Sequence, residues 1–500
     1  MAVATEIQYE PVIGLEVHAQ LLTRSKMFCS CRADYQGAEP NTTVCPVCMG
    51  MPGSLPVINR QAVEYVIMTG LALNCSIAEH TKFDRKNYPY PDLMKGYQIS
   101  QYDQPIASRG WMAIEVDGQE RRAGITRVHL EEDVAKLFHR ADPLGETYSL
   151  LDVNRAGTPL MEIVGEPDLR SPEEARQYLV NLHAILQYLG VSTGNMEEGS
   201  FRCDANISLR PKGVTTLGTK VEVKNINSFR AVYRALEYEI ERQTRVLHEG
   251  GRIVQETRGW VEEKGVTVSQ RSKEYAHDYR YFPEPDLPPL AISRQWVSDV
   301  RAKLPELPEA RRQRYIQQSG LPPYDASLLT ASKATASFFE AVVSLKELSG
   351  TAMQQRAKAA ANWMLSEVAR LLNASGKELE QTRLQPQHLS ELLDLVDSGA
   401  LSTTMAKTVW EETFNTGKAP KEVVQEKGLT QISDSSSLDP AVEEALRANA
   451  TAVADYMKGK ETAIRFLVGQ VMKATRGRAN PALVNQVVKD KLEAIKSNKG

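Results

Sequence analysis

Cys29-x-Cys31 and Cys45-x-x-Cys48 place four cysteines within twenty residues, directly after the segment Val12-Ile13-Gly14-Leu15-Glu16-Val17-His18. Two short cysteine hairpins separated by a loop bring four sulfurs to the corners of a tetrahedron, so Cys29, Cys31, Cys45 and Cys48 read as a structural Zn²⁺ knuckle. A disulfide or redox pair is the alternative. A closed four-sulfur site offers no open coordination position, so chemistry has to be sought elsewhere. The preceding segment reads as a strand in which Ile13, Leu15 and Val17 point one way and Glu16, His18 and Gln20 the other. Glu16 and His18 are then about 6.6 Å apart on one polar face, close enough to serve one cation.

The 500 residues exceed a single small core and imply several domains. No run of eighteen apolar residues occurs, and Met1–Glu10 lacks the features of a signal peptide, so a cytoplasmic protein or, in a plastid-bearing cell, a matured organellar one is expected, with no membrane partner. Cys75 and Cys203 stand alone, which fits a reducing compartment. The formal net charge of -3 hides a basic tail: Thr451–Gly500 carries ten Lys and Arg against four Asp and Glu. Such a tail suggests nucleic acid, with a solvated helix face as the plain alternative.

The chain reads as a multidomain α+β protein. Residues 1–294 mix strands such as Ile125–Leu130 and Lys220–Lys224 with helices such as Pro172–Leu189, which has Ser171 as N-cap, Pro172 at N1 and Gly190 as its stop. The Pro-rich Tyr281–Pro289 closes this region. Residues 295–404 carry helical periodicity, notably Ala334–Leu348 and Ala357–Leu372, and 405–500 form a further helical unit containing a polar Ser433–Ser437 loop.

Two buried-looking carboxylates stand out. Alternation puts Glu132 on the face of Val128 and Leu130, and Glu131 with His129 and Asp133, so Glu132 is the stronger ligand candidate of the two. Glu162 is the one charged group in Pro159–Val164. Each could instead be satisfied by Arg or backbone amides. A histidine with carboxylates suits Mg²⁺ better than zinc, and Mg²⁺ points to nucleotide phosphates. Gly213–Lys220 approaches a phosphate loop but has Thr and Lys in the wrong order, and reads as a hairpin turn; no G-x-G-x-x-G occurs. Arg85, Lys86, Arg202, Lys224 and Asn225 could meet phosphates, or be ordinary hydrogen-bonded loop residues. A serine or cysteine nucleophile signature is absent, so the chain is not expected to release ammonia from glutamine itself.

Beyond these signals, Val12–His18, Lys82–Tyr88, Gly96–Gln101, Asn154–Leu160, Arg202–Ser208, Lys224–Phe229, Asp278–Asp286 and Phe466–Thr475 closely resemble the GatB subunits of the aspartyl/glutamyl-tRNA amidotransferases, over essentially the full length. The resemblance implies a cradle-shaped α/β domain, a helical domain and a tail domain like the small YqeY family. It implies amidation of Glu-tRNA(Gln), Asp-tRNA(Asn) or both. ATP phosphorylates the aminoacyl carboxylate, and ammonia arrives from the amidase subunit of a heterotrimer whose third member is small. The mischarging aminoacyl-tRNA synthetase is a further expected partner. The resemblance places catalytic Mg²⁺ on His18, Glu132 and Glu162 with Glu16 close by; given that function, Arg85, Lys86, Arg202, Lys224 and Asn225 are candidates for ATP or the tRNA 3′ end, and Lys473, Arg476 and Arg478, within one or two helical turns, are a compact footprint for the tRNA body. The competing readings are a noncatalytic, zinc-stapled tRNA-binding adaptor and an amide ligase acting on a free acid.

Overall fold

The computed structural model describes residues 7–272, 279–429, 435–457, 460, 462–475, 479 and 481–497. Its strands are β1 Tyr9–Gln20, β2 Ser76–Ile77, β3 His80–Thr81, β4 Asp84–Asn87, β5 Tyr97–Ser100, β6 Ala107–Val116, β7 Gln119–Glu132, β8 Lys136–Ala141, β9 Thr147–Asp152, β10 Pro159–Gly165, β11 Phe201–Pro211, β12 Val221–Ile226, β13 Glu256–Val261, β14 Val266–Ser272, β15 Phe282–Pro283 and β16 Leu290–Ala291. Nine of them make one sheet in the order β14-β13-β12-β11-β1-β10-β7-β6-β2. β1 lies inside it, antiparallel to both β10 and β11.

The expected alternation holds along β1. Ile13, Leu15, Val17 and Ala19 are buried and face Ile207, Ala205, Cys203 and Phe201 of β11, while Val17 and Ala19 face Ile163 and Met161 of β10. This apolar face packs in one core with helices α1 Arg60–Ala72, α2 Pro172–Leu189 and α3 Phe229–His248. Each helix has a cap that the sequence supplies. Asn59 Oδ1 accepts from Ala62 N at 3.2 Å, Ser171 Oγ from Glu174 N at 3.1 Å, and Ser228 Oγ from Ala231 N at 3.0 Å. Gly190 ends α2 in the left-handed conformation at φ 69°. The Glu174 carboxylate accepts from Arg170 N and from Arg121.

The first compact unit runs to Pro308, beyond the boundary read at 294. Helix α4, Arg294–Arg301, buries Val297 and Val300 in the sheet's own core, which is why the break comes later. The second unit, Glu309–Gly500, contains two hydrophobic clusters. One spans Tyr315 to Val424 and the other Leu438 to Leu492. The change of core therefore lies past the expected 404/405 boundary, because the helices Thr403–Thr416 and Pro420–Lys427 contribute Trp410, Phe414 and Val423 to the earlier cluster. The segment expected as Ala334–Leu348 forms the helix Lys333–Ser344, which ends four residues earlier than expected, and Ala357–Leu372 lies within Gly350–Ser375, which passes through a π-turn at Met364–Val368. Ser433 and Asp434 lie outside the described residues, and Ser435–Ser437 open the helix Ser435–Ala448. Gly213–Lys220 joins antiparallel β11 and β12, as a hairpin turn should. Among the described residues no helix is long and apolar enough to cross a membrane.

Gly110 in β6 packs where no side chain fits: a Cβ there would lie 2.3 Å from Cys75 Sγ and 2.4 Å from the Leu73 carbonyl oxygen. Gly110→Ala should therefore destabilise the first unit by about 1–3 kcal/mol, the usual cost of overpacking a core. A melting temperature several degrees lower in differential scanning fluorimetry would confirm it, and an unchanged one would refute it.

Candidate active site

The face of the sheet opposite the helices carries a row of polar side chains fixed by strand register. His18 lies opposite Glu162 on one side and Arg202 on the other, Glu162 lies opposite His129, and Glu16 lies opposite Asp204. Directly opposed residues share a face, so these groups converge without any long loop. His18 Nε2 is 3.6 Å from Glu131 Oε1 and 3.6 Å from Glu162 Oε2. His129 Nε2 meets the same Glu162 oxygen at 3.2 Å. Ligand atoms of His18, Glu131 and Glu162 all lie within 4.8 Å of one another. Ser100 Oγ donates to Glu131 Oε2 at 3.3 Å, and Asn206 Nδ2 donates to Glu16 Oε1 at 2.9 Å.

The geometry departs from the sequence expectation at one position: Glu131, rather than Glu132, joins His18 and Glu162. Glu132 points to the helix-side face with Val128 and Leu130, as alternation predicts, and its charge is met there. Its carboxylate is bonded to Lys95 and accepts the Ile99 N–H at 3.0 Å. It lines a cavity of about 210 Å³ together with Phe28, Cys48, Lys95 and Tyr97. The plain alternative for a carboxylate on an apolar face, satisfaction by a cation and a backbone amide, is thus realised at Glu132. Sequence reasoning misses Glu131 and His129 because a polar residue on a polar face carries no signal of its own, although the alternation that isolates Glu132 also groups these two.

The cations are also distinguishable. Arg85 forks onto Glu284 at 2.7 and 2.8 Å and reaches Asp286 at 3.1 Å, so its guanidinium ties β4 to the Pro-rich segment. Asn225, at φ 62°, sits at an irregularity of β12 where its register with β11 shifts, and donates to the Trp260 carbonyl at 3.0 Å. Lys224 pairs with Asp204 at 2.6 Å and Glu222 at 3.3 Å on the polar face. Lys86 faces the rings of Tyr279 at 5.0 Å and Tyr88 at 5.8 Å. Burial opposes the charge on Lys86, but the nearby Glu131 carboxylate outweighs it and holds the amine above its usual range. Lys473 is exposed in the helix Ala463–Ala474, while Arg476 and Arg478 lie outside the described residues.

A second layer supports the row. Arg202 donates to Asp133 Oδ1 at 3.1 Å, Gln20 donates to Asp133 Oδ2 at 2.6 Å, and Gln20 in turn meets the Tyr35 hydroxyl at 3.2 Å. Burial works against the Asp133 charge, yet Arg202 and Arg155 together hold its carboxyl below the usual range. Tyr35 belongs to the loop between the two cysteine pairs, so the knuckle reaches the residue beside His18 through three side chains. The four sulfurs of Cys29, Cys31, Cys45 and Cys48 lie within 4.8 Å of one another, a donor set that fits tetrahedral zinc. Hydrogen bonding with Cys29 holds the Cys48 thiol down at about 4, against burial and with help from Lys26, whereas burial pushes Cys31 up to about 11. The remaining thiols are unsuited to nucleophilic work. Burial raises Cys75 to about 12 and drives Cys203 well above the ordinary thiol range.

One imidazole and two carboxylates lie within reach of a common point, on a β-sheet face that also carries cations, a donor set that could hold a hard divalent cation. Residues 11–298 match the GatB/GatE catalytic domain, and residues 338–492 match the GatB domain. The chain is 59% identical over 488 residues to the B subunit of the aspartyl/glutamyl-tRNA(Asn/Gln) amidotransferase of Dehalococcoides mccartyi, covering 97% of this chain and 99% of that relative. It is 56% identical to the corresponding protein of Carboxydothermus hydrogenoformans over 98% of this chain and 100% of the relative, and 57% identical to that of Moorella thermoacetica over 97% and 100%. The chain belongs to the GatB family of the glutamyl/aspartyl-tRNA amidotransferases, which are glutamine-dependent carbon–nitrogen ligases.

Burial disfavours a charged His18, but the Glu162 and Glu131 carboxylates raise its pKa to about 9. The imidazolium then contributes stability that is complete below its ordinary value of 6.5 and is lost as pH rises through about 9. A metal ion bound through His18 would have to displace this proton, so its affinity would rise with pH until about 9. Mn²⁺ titrated by electron paramagnetic resonance should bind about tenfold tighter at pH 8.5 than at pH 7.5, one proton being released per ion. A pH-independent Kd would rule out His18 as a ligand.

Proposed function

We propose that this chain carries the activation and amidation steps of the tRNA-dependent reaction: an aminoacyl carboxylate on Glu-tRNA(Gln), Asp-tRNA(Asn) or both is phosphorylated by ATP and then converted to the amide. The observation that carries this reading is the convergence of His18, Glu131 and Glu162 inside the matched catalytic domain. A carboxylate is a poor electrophile, and an acyl phosphate gives ammonia a leaving group to displace. Bound between His18, Glu131 and Glu162, with Glu16 at its flank, Mg²⁺ would supply charge neutralisation between the γ-phosphate and the attacking carboxylate.

The chain's own residues set the conditions for this. Glu131 is oriented by Ser100, and Glu162 by His129, so the carboxylates are held before the cation arrives. Lys86, Arg202 and Lys224 line the same face and offset the charge of phosphate and the tRNA 3′ end; Arg85 and Asn225 shape the walls through their own partners. Inert thiols at Cys75 and Cys203 fit ammonia arriving from a separate amidase, with a small third protein completing the assembly. Zinc on the four cysteines is structural. Lys473, with Arg476 and Arg478, contacts tRNA phosphates, which would tighten all tRNAs alike and weaken with salt.

The reading favours catalysis over a noncatalytic adaptor because it gives Glu131 and Glu162 a purpose. With ammonium chloride as nitrogen donor, ATP, Mg²⁺ and the companion subunits present, Glu131→Gln should lower kcat for Gln-tRNA(Gln) formation by about 100-fold or more, the scale expected for loss of a group acting in the transition state. Glu132→Gln should cost clearly less than Glu131→Gln, since Glu132 meets Lys95 and the Ile99 amide rather than His18 and Glu162. Equal losses in both variants, or full activity in Glu131→Gln, would move the chemistry elsewhere. Lys473→Ala should raise KM for tRNA with little change in kcat, and should flatten the salt dependence of KM by about one phosphate contact. A kcat loss at constant KM would sink that assignment.

A further inference from the structure

Lys26 is fully buried, yet among the described residues no carboxylate lies within ion-pair distance of it. The hydrogen-bond acceptor at its ammonium is a sulfur: Nζ is 3.7 Å from Cys48 Sγ. The stem is locked on its way there. Lys26 N donates to the Cys31 carbonyl at 2.8 Å, and the Lys26 carbonyl accepts from Asn59 Nδ2 at 3.2 Å. Above it, Gly157 holds φ 80°, and a Cβ at that position would meet both Lys26 Cδ and Cys48 Cβ at 3.5 Å. Gly157 thus lies over both the lysine stem and Cys48, with room for ordinary contact only.

An ammonium taken out of water needs a counter-charge, or it sheds its proton or draws water in. Two disulfides supply none, and a lone thiolate at Cys48 supplies a single charge that leaves the other three sulfurs without a partner. Four thiolates around Zn²⁺ carry a net charge of minus two, which is itself expensive to bury at a site as enclosed as Cys48. We infer that Lys26 is the internal counter-charge of the four-thiolate zinc centre, its ammonium donating an N–H to the Cys48 sulfur and reducing the net charge of the buried unit to minus one. Cys48 also receives the Cys45 backbone N–H at 3.1 Å, so this sulfur carries two donors. Withdrawing electron density from one thiolate weakens its basicity and slows its protonation, the first step by which zinc is lost to acid or a chelator. The inference rests on the zinc reading, and gives the lysine a role that packing alone does not.

The experiment uses the full-length chain, wild type and with Lys26→Met, Lys26→Gln and Lys26→Arg. Zinc per chain is measured by mass spectrometry, zinc transfer to a colorimetric chelator by stopped flow, and the thiolate-to-metal charge-transfer band after Co²⁺ substitution. Wild type should hold one zinc. Lys26→Met should release it about 10-fold to 100-fold faster, the range for loss of an outer partner of a metal ligand, with the cobalt band moved to longer wavelength. Lys26→Arg should stay near the wild-type rate. If Lys26→Met fails to fold, Lys26→Gln, which keeps a donor without the charge, carries the test through the same acceleration. Wild-type release rates and an unshifted cobalt band in the neutral variants would overturn the role of Lys26 while leaving zinc in place. A wild-type chain without zinc and with oxidised cysteines would overturn both.

Discussion

The register of β1 between β10 and β11 is the constraint on which the rest depends. One strand supplies Ile13, Leu15, Val17 and Ala19 to the core and Glu16 and His18 to the site. Because the side-chain period is two, a slip of one residue would bury His18 under the helices and expose Val17. The apolar cost of that slip fixes the register, and the fixed register places His18 opposite Glu162 and Arg202. Core stability and site geometry are therefore the same physical decision.

Having the site on strands rather than loops also limits how it can be tuned. The strand backbone brings Glu131, Glu162 and His18 close, and their mutual repulsion is relieved by shared protons and neighbouring cations rather than by distance. Glu162 illustrates the balance: burial raises its pKa, but His129 and His18 more than reverse this and hold it well below the carboxylate range. Both carboxylates are oriented by neighbours, Glu131 by Ser100 and Glu162 by His129, so their positions are set by the fold itself.

The cysteine cluster gains significance from the same arrangement. Its loop supplies Tyr35 to Gln20 and Asp133, and Asn41 and Thr43 to the turn at Asp152–Asn154, with Asn41 N on Asp152 Oδ1 at 3.2 Å and Thr43 N on Asn154 Oδ1 at 2.8 Å. That turn continues through Gly157 into β10 and Glu162. The cysteine-bearing loop thus braces the site from two directions, through Asp133 to Arg202 and through the turn to Glu162, although none of its sulfurs touches the row.

The sequence by itself determined the mixed first region and the helical remainder, the caps and stop of α2, the alternation in β1, the closeness of four cysteines, and the polarity of His18 and Glu16. These are local properties, set by side-chain period, backbone propensity and short spacing. Family resemblance extended them to a function. Tertiary structure decided what depends on distant partners. It chose Glu131 over Glu132, because the Lys95 and Ile99 that satisfy Glu132 are 37 and 33 residues away and no local pattern announces them. It committed Arg85 to Glu284 across 199 residues, and carried the first unit past residue 294 because α4 finds its apolar partners in the sheet. A charge in a strand tells which face it occupies; only the fold tells what waits for it there.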